Sequence, residues 1–165
     1  MAEAEPNLLE LYVQPGESIL AKNPAILRTV LGSCVGVTFL IPRLGIGALC
    51  HPMLPSCAAK TSAGMTQAAG RRYVDYAIRD LARQFDALGA TRAEVQVKLF
   101  GGADVLTGPE DARRPTVGRL NREAALRILC QEQFQILASS LGGQSGLHIQ
   151  FSTATGEVLL RRLGN

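Results

Sequence analysis

Short apolar runs separated by turn-forming residues fill the first part of the chain. Residues 8–13 and residues 25–31 are two such runs, and each has the length of one β-strand. Residues 34–41 predict a buried strand rich in Val and Phe, and residues 45–51 predict a short strand after the break at residues 42–44. Because that break is short, the last two strands are expected to pair as an antiparallel hairpin.

Two later segments carry apolar residues at helical spacing. Residues 72–88 predict the first helix, with Gly89 in the place of a C-terminal cap. Residues 121–139 predict the second helix. The expected buried stripes are Tyr73, Tyr76, Ala77, Leu81 and Phe85 in the first helix, and Ala124, Ala125, Ile128, Leu129 and Phe134 in the second.

Further strands are predicted around these helices. Residues 94–100 alternate in polarity, and residues 147–152 and 157–163 predict a closing hairpin, while residues 107–115 predict a polar loop. Hairpins mixed with separate helices indicate the α+β (mixed α/β) class. We expect mixed β-sheets flanked by two main helices, in a three-layer α/β/α arrangement, with residues 1–165 forming a single domain.

Composition narrows the classes of function. Of 165 residues, 47% are hydrophobic and 19% are charged, which is typical of a folded domain. The net charge of +3 comes without a basic run, which argues against nucleic-acid binding. No apolar run reaches the roughly 18 residues of a membrane span. The N-terminus also lacks the pattern of a secretory signal, so we expect a cytoplasmic protein with no membrane insertion.

The four cysteines are expected to be free thiols, because the cytoplasm keeps thiols reduced. They are Cys34, Cys50, Cys57 and Cys130. Cys50, His51 and Cys57 lie close in sequence, but their spacing does not match the paired pattern of zinc sites. No metal and no other cofactor is therefore predicted.

Cys34 is the first candidate for chemistry. It follows Gly32 and Ser33 at a turn and precedes a buried strand, so the backbone is expected to fix its position. Backbone N–H groups around Gly32 and Ser33 are candidate donors to an oxyanion that develops beside the sulfur. The alternative is a buried structural cysteine, which is the commonest role of this residue type.

His51 is the candidate acid–base partner of Cys34. It ends the strand that pairs back after the break, and antiparallel pairing brings such positions close together. A nearby imidazolium would lower the pKa of the thiol and favour a thiolate–imidazolium pair. The other histidine, His148, is more simply a strand residue. A hydrogen-bonded histidine at a strand end stays the alternative for His51.

A third group is needed to orient the imidazole, and Thr29 is the candidate. It enters the same region from the preceding segment, and a hydroxyl oxygen can accept a hydrogen bond from the ring, as carboxylates do in other triads. The alternative for Thr29 is a β-branched strand residue. Asp75, on what looks like a solvated helix face, and Asp104, after the Gly101-Gly102-Ala103 segment, are the charged alternatives.

These residues together resemble the CheD family, the chemoreceptor glutamine deamidases of bacterial and archaeal chemotaxis. The resemblance lies above all in Leu31-Gly32-Ser33-Cys34 followed by His51-Pro52-Met53-Leu54-Pro55. Further matching pieces follow in the family's order along nearly the whole chain: Asn23-Pro24, Thr29 through Val37, Tyr73 with Asp75 and Ala77, Gly101-Gly102-Ala103, Gly118 with Asn121, Gly142-Gly143, and Thr155-Gly156-Glu157-Val158.

The resemblance implies a Cys–His–Thr triad at Cys34, His51 and Thr29, in a fold like that of toxin domains that deamidate glutamine in small GTPases. It implies chemoreceptor cytoplasmic helices as the protein substrate and the phosphatase CheC as a partner. The chain departs from the family pattern at Leu120 and Leu147, where relatives have arginine, so receptor or partner contacts of those arginines are expected to differ here.

Three other functions stay open from the residues alone. The same triad could hydrolyse glutamyl methyl esters, because ester and amide pass through the same acyl-enzyme. A non-catalytic regulator would bind a chemotaxis phosphatase or a receptor with Cys34 inert. A small-molecule amidase would need a closed pocket in place of an open groove that admits a helix.

Overall fold

A computed structural model of the protein describes residues 7–57, 64–105 and 114–164. The polar loop predicted at residues 107–115 lies for the most part outside these ranges. The strands are β1 (Leu9–Tyr12), β2 (Ser18–Lys22), β3 (Ala25–Leu31), β4 (Val35–Ile41), β5 (Ile46–Cys50), β6 (Gln96–Gly101), β7 (Ile136–Leu141), β8 (Leu147–Ser152) and β9 (Val158–Arg162). The helices are α1 (Gln67–Gly70), α2 (Val74–Ala87) and α3 (Val117–Gln131).

The strands form two mixed sheets. The four-stranded sheet has the order β1-β3-β8-β9, and the five-stranded sheet has the order β2-β5-β4-β6-β7. β1 pairs with β3 in parallel, as does β6 with β7. The other neighbouring strands pair antiparallel. Every helix in the described ranges is too short or too polar to cross a lipid bilayer.

The five-stranded sheet is the middle layer of the molecule. One of its faces packs against α2 and α3 through an apolar cluster in which the rings of Phe39 and Phe85 lie 5.3 Å apart. Its opposite face packs against the four-stranded sheet through a second cluster that includes Leu49 and Phe151. Burial of these two clusters is the main source of stability expected for the fold.

The α+β class, with mixed sheets and two main helices, is confirmed, but the order of the layers differs from the expected α/β/α. Both α2 and α3 lie on the same face of the five-stranded sheet, so the order is α/β/β. Every residue of β4 and β5 is buried, as expected for strands covered on both faces. A continuous apolar run predicts that both faces are covered, and the covering layer can be a helix or another sheet.

The predicted hairpins are confirmed, with β4 paired to β5 and β8 paired to β9. The first helix also agrees, but the prediction of a second helix over residues 121–139 is wrong at both ends. α3 begins at Val117 and ends at Gln131, and Gln133 then takes a positive φ of 64°, which a helix cannot continue through. The chain goes on into β7, an edge strand, so residues 136–139 of the predicted helix belong to a strand. The sequence pattern does not predict β2.

Candidate active site

The turn that carries Cys34 is fixed through its carbonyl groups. The N–H of Ala103 donates to the carbonyl of Gly32 at 3.0 Å, and the N–H of Gly102 donates to the carbonyl of Cys34 at 2.8 Å. Between them, the side-chain amide of Asn121 donates to the carbonyl of Ser33 at 2.9 Å. Hydrogen bonds at three consecutive residues leave the turn little conformational freedom. The role of the N–H groups of Gly32 and Ser33 as oxyanion donors stays a prediction.

His51 directly follows β5, and its backbone is bound on both sides. Its N–H donates to the carbonyl of Glu17 at 2.9 Å, and its carbonyl accepts from the N–H of Gly16 at 2.7 Å. Both partners belong to the segment between β1 and β2. These two bonds fix the point from which the imidazole projects.

Cys34 and His51 lie on the same face of the five-stranded sheet. β4 and β5 pair with Val37 opposite Cys50, and the next step of this register puts Gly36 beside His51. Side chains two positions apart along a strand share a face, so Cys34 is the diagonal neighbour of His51. That face is the one turned to the four-stranded sheet, where the side chain of Cys34 packs against the second apolar cluster.

Thr29 meets His51 from the four-stranded sheet. Its hydroxyl oxygen lies 2.7 Å from Nδ1 of His51 and 2.7 Å from the carbonyl oxygen of Val13. A carbonyl can only accept, so the single hydroxyl proton goes to Val13, and the hydroxyl oxygen accepts from Nδ1–H. The imidazole therefore carries its proton on Nδ1, which leaves the lone pair on Nε2 free to take a proton.

Burial shifts the pKa values of both candidate groups. His51 is only 1% exposed, and this desolvation lowers the pKa of the imidazole from 6.5 to about 4, while the nearby carbonyl of Val13 favours the charged form and raises the pKa. Cys34 is partly buried, and desolvation raises the pKa of its thiol, an effect opposed by its own backbone N–H. The site therefore holds a neutral thiol and a neutral imidazole, in place of the ion pair expected from the sequence.

The two aspartates have other partners. Asp75, expected on a solvated face, is only 5% exposed, because residues 56 and 57 fold over the start of α2. Its carboxylate accepts from the hydroxyl of Ser56 at 2.8 Å and from the N–H of Cys57 at 3.1 Å. Asp104 accepts from the hydroxyl of Thr116 and lies 3.4 Å from the guanidinium of Arg122. Thr29 is the residue that occupies the hydrogen-bonding position beside Nδ1.

The other cysteines and His148 also have assigned surroundings. All four cysteines are free, and Cys50 lies in the first apolar cluster, where burial raises the pKa of its thiol to about 12. His148 is a residue of β8, as expected from its sequence context, opposite Val30 and on the other face from Thr29. Across the described ranges, no three His, Cys, Asp or Glu side chains are grouped as metal ligands.

Asn121 contacts the site, although the residue pattern alone gives it no role there. It is 0% exposed, and it lies on the buried stripe of α3 with Ala124, Ala125 and Ile128. The signal in the sequence is a polar residue at the apolar phase of a helix, because such a side chain must find hydrogen-bond partners inside the protein.

Comparison with known proteins identifies relatives over nearly the whole chain. The family model described as CheD chemotactic sensory transduction matches residues 53–162, a range that includes α3 and begins after His51. A Geobacter sulfurreducens protein named probable chemoreceptor glutamine deamidase CheD 2 is 39% identical over 163 residues, which cover 99% of this chain and 96% of that protein.

Two further relatives carry similar names. A Maridesulfovibrio salexigens protein named probable chemoreceptor glutamine deamidase CheD is 33% identical over 167 residues, covering 99% of this chain and 97% of that protein. A Nitratidesulfovibrio vulgaris protein of the same name is 37% identical over 161 residues, covering 95% of this chain and 79% of that protein. Among solved structures, hypothetical protein YfiH of Bacillus licheniformis aligns with a TM-score of 0.44 at 13% identity, over 74% of this chain and 49% of that one.

Proposed function

Because the chain belongs to the CheD family of chemotactic sensory transduction proteins, we propose that it deamidates glutamine side chains of chemoreceptors. Cys34 is the proposed nucleophile, His51 the acid–base group, and Thr29 the group that orients the imidazole. The observation that carries this assignment is the 2.7 Å contact between the Thr29 hydroxyl and Nδ1 of His51, on the face that Cys34 shares. This contact holds the imidazole proton on Nδ1, so that Nε2 can accept the thiol proton as a general base.

The first half of the reaction forms a thioester. Nε2 of His51 takes the thiol proton of Cys34 as the sulfur attacks the carboxamide carbon of glutamine, and the carbonyl oxygen becomes an oxyanion. Backbone N–H groups of the turn at Gly32, Ser33 and Cys34 are the proposed donors to that oxyanion, each typically worth about 3–4 kcal/mol. The imidazolium then gives its proton to the nitrogen, the carbon–nitrogen bond breaks, and ammonia leaves.

The second half releases glutamate. Nε2 of His51 takes a proton from water as the water oxygen attacks the thioester carbon. The carbon–sulfur bond then breaks, and the proton returns to the sulfur of Cys34. The product carries one new carboxylate where the substrate had an amide. A new negative charge on a receptor helix changes the electrostatics of that helix, so the reaction alters a signalling protein.

The same proposal extends to the setting of the reaction. Residues 1–165 act as one deamidase domain in the cytoplasm, where chemoreceptor cytoplasmic helices are the substrate and the phosphatase CheC is a partner. The names of the relatives support the receptor as substrate. The family resemblance supports CheC, and the leucines at positions 120 and 147 predict partner contacts that differ in detail from those of relatives with arginine.

Incubation with a receptor cytoplasmic fragment tests the proposal. We expect ammonia release together with a mass increase of about one dalton per modified glutamine, as amide-to-acid conversion requires. The Cys34→Ala variant should fold and release no ammonia. Folded Cys34→Ala protein with full activity would overturn the assignment. Methanol release from a methylated receptor, without any ammonia release, would favour the esterase instead.

A further inference from the structure

Asn121 joins the two segments that carry the proposed catalytic residues. Its Nδ2 donates to the carbonyl of Ser33 at 2.9 Å and to the carbonyl of Met53 at 2.9 Å. Ser33 precedes Cys34, and Met53 follows His51 by two positions. An amide nitrogen has two hydrogens, so both are used, one on each side of the site.

The other end of the same side chain is unsatisfied. Oδ1 of Asn121 is buried and has no hydrogen-bond partner in the described part of the chain. Leaving a buried acceptor without a donor costs free energy, so this position is poor for stability alone. An apolar residue would remove this unpaired oxygen, but it would also take away the donors to the carbonyls of Ser33 and Met53. Residues that break a local rule in this way concentrate at functional sites.

The backbone of α3 lies close enough to the site for the side-chain amide of Asn121 to reach both carbonyls. A Cβ at Gly118 would overlap the carbonyl oxygen of Ala103 and would lie 2.8 Å from the carbonyl oxygen of Gly102, so glycine is required for this approach. Arg122 then donates to the carbonyl of Gly102 at 2.7 Å, and the N–H of Gly102 donates to the carbonyl of Cys34. The turn at residues 32–34, called here the nucleophile turn, is therefore also held by α3 through Arg122 and Gly102.

We infer that Asn121 is a positioning residue, which fixes the turn of Cys34 relative to the segment of His51 so that the sulfur and Nε2 meet in reacting geometry. The inference rests on the proposed function of Cys34 and His51. Asn121 acts through the carbonyls of Ser33 and Met53 and does not itself exchange protons with the substrate. Removing its amide leaves each reacting group present but frees the two segments to move apart.

Two variants and one matched control separate positioning from general stability. Asn121→Asp keeps the shape but turns an oxygen toward the two carbonyl oxygens, and Asn121→Ser keeps a smaller donor. Ile128→Val loosens the same buried stripe of α3 away from the site. We expect kcat for ammonia release to fall by about 100-fold in Asn121→Asp, as misplacement of reacting groups by about 1 Å costs. KM should change by less than about twofold.

Alkylation of Cys34 by iodoacetamide supplies a readout that needs no receptor. We expect Asn121→Asp to change the pH profile of this alkylation, Asn121→Ser to change it less, and Ile128→Val to leave it as in the wild type. Wild-type kcat and an unchanged alkylation profile in both folded Asn121 variants would overturn the inference. The inference would also be overturned if Ile128→Val, at the same melting temperature as an Asn121 variant, lost as much activity as that variant.

These outcomes are distinct from failure of the proposed function. Ammonia release by the wild type and none by Cys34→Ala establishes the function whatever the Asn121 variants do. If the wild type releases no ammonia, the alkylation profiles still decide whether Asn121 controls the environment of the sulfur.

Discussion

The hydroxyl oxygen of Thr29 and Nδ1 of His51 lie 2.7 Å apart, although the two residues belong to different sheets. Thr29 is in β3 of the four-stranded sheet, and His51 follows β5 of the five-stranded sheet. Their contact therefore crosses the interface between the sheets, and packing of the second apolar cluster sets the orientation of the imidazole. A change that shifts one sheet against the other is expected to act on catalysis at a distance.

Thr29→Val should lower activity without removing a reacting group. The valine has the same shape but cannot accept from Nδ1–H or donate to the carbonyl of Val13, so the imidazole loses its tautomer preference. We expect kcat to fall by about 100-fold and the free energy of unfolding to fall by about 1–3 kcal/mol. Thr29→Ser, which keeps the hydroxyl, should retain most of the activity. Equal ammonia release by the valine and serine variants would contradict the role given to the hydroxyl.

Acid should destabilise the fold through His51. Between pH 6.5 and about 4 the unfolded chain binds a proton at this residue and the folded chain does not, because burial lowers the folded-state pKa. The free energy of unfolding should therefore fall as the pH falls through this window, by up to about 3 kcal/mol. Above pH 6.5 both states hold a neutral imidazole, so the contribution of this residue is constant.

Urea unfolding at a series of pH values measures this effect. The difference between wild type and His51→Gln isolates the contribution of His51 from that of the carboxyl groups, which are common to both proteins. The two curves of stability against pH should run parallel above pH 6.5 and converge below it. Parallel curves through the whole window would mean that His51 titrates normally in the folded state.

Alkylation of Cys34 should require higher pH than alkylation of an ordinary exposed thiol. Desolvation raises the pKa of this thiol, and the neutral His51 does not stabilise a thiolate at rest. The rate with iodoacetamide should therefore rise only in the alkaline range, and Cys130, which is exposed, serves as the internal comparison after mass mapping. A plateau of fast alkylation from acidic pH upward would indicate a resting ion pair and would contradict this prediction.

Gly118→Ala should disturb the site from outside it. The added Cβ would overlap the carbonyl oxygen of Ala103, so α3 must move away from the nucleophile turn. We expect a stability loss of about 1–3 kcal/mol and a fall in kcat larger than that loss explains. Arg119→Ala is the control, because it removes an exposed ion pair with Glu123 on the same helix and leaves the contact of Gly118 with Ala103 unchanged. Melting temperature and ammonia release, measured together, test both statements.

The sequence predicts the residues of the candidate site better than it predicts the strand pairing and burial around them. Cys34 and His51 follow from a hairpin whose pairing is local, and local pairing is what sequence patterns encode best. Thr29 could be proposed as the third group, but its bond to Val13, which sets the tautomer, depends on the parallel pairing of β1 with β3, which no hairpin connects. The neutral state of the two reacting groups depends on burial between two sheets, which no residue spacing reports.

The differences between the predicted and the observed fold also arise from contacts between separate segments of the chain. The helix prediction runs on into β7 because no Gly or Pro marks the end of α3 before Ser139, whereas pairing with β6 makes this segment a strand. Asp75 looked solvated because its helix is amphipathic, whereas residues 56 and 57 return over it. The layer order required knowing that the face of β4 opposite the helices is covered by the four-stranded sheet.

The pairing of β3 with β8 determines when, during synthesis of a chain, the proposed triad can be assembled. Ala25 and Thr153 hydrogen-bond across these strands although they are 128 residues apart in sequence. The strand that presents Thr29 gains its central partner only after β8 has left the ribosome. Nascent chains therefore carry the sulfur before the strand of Thr29 has its partner β8, and we expect them to deamidate no glutamine until the late segments fold.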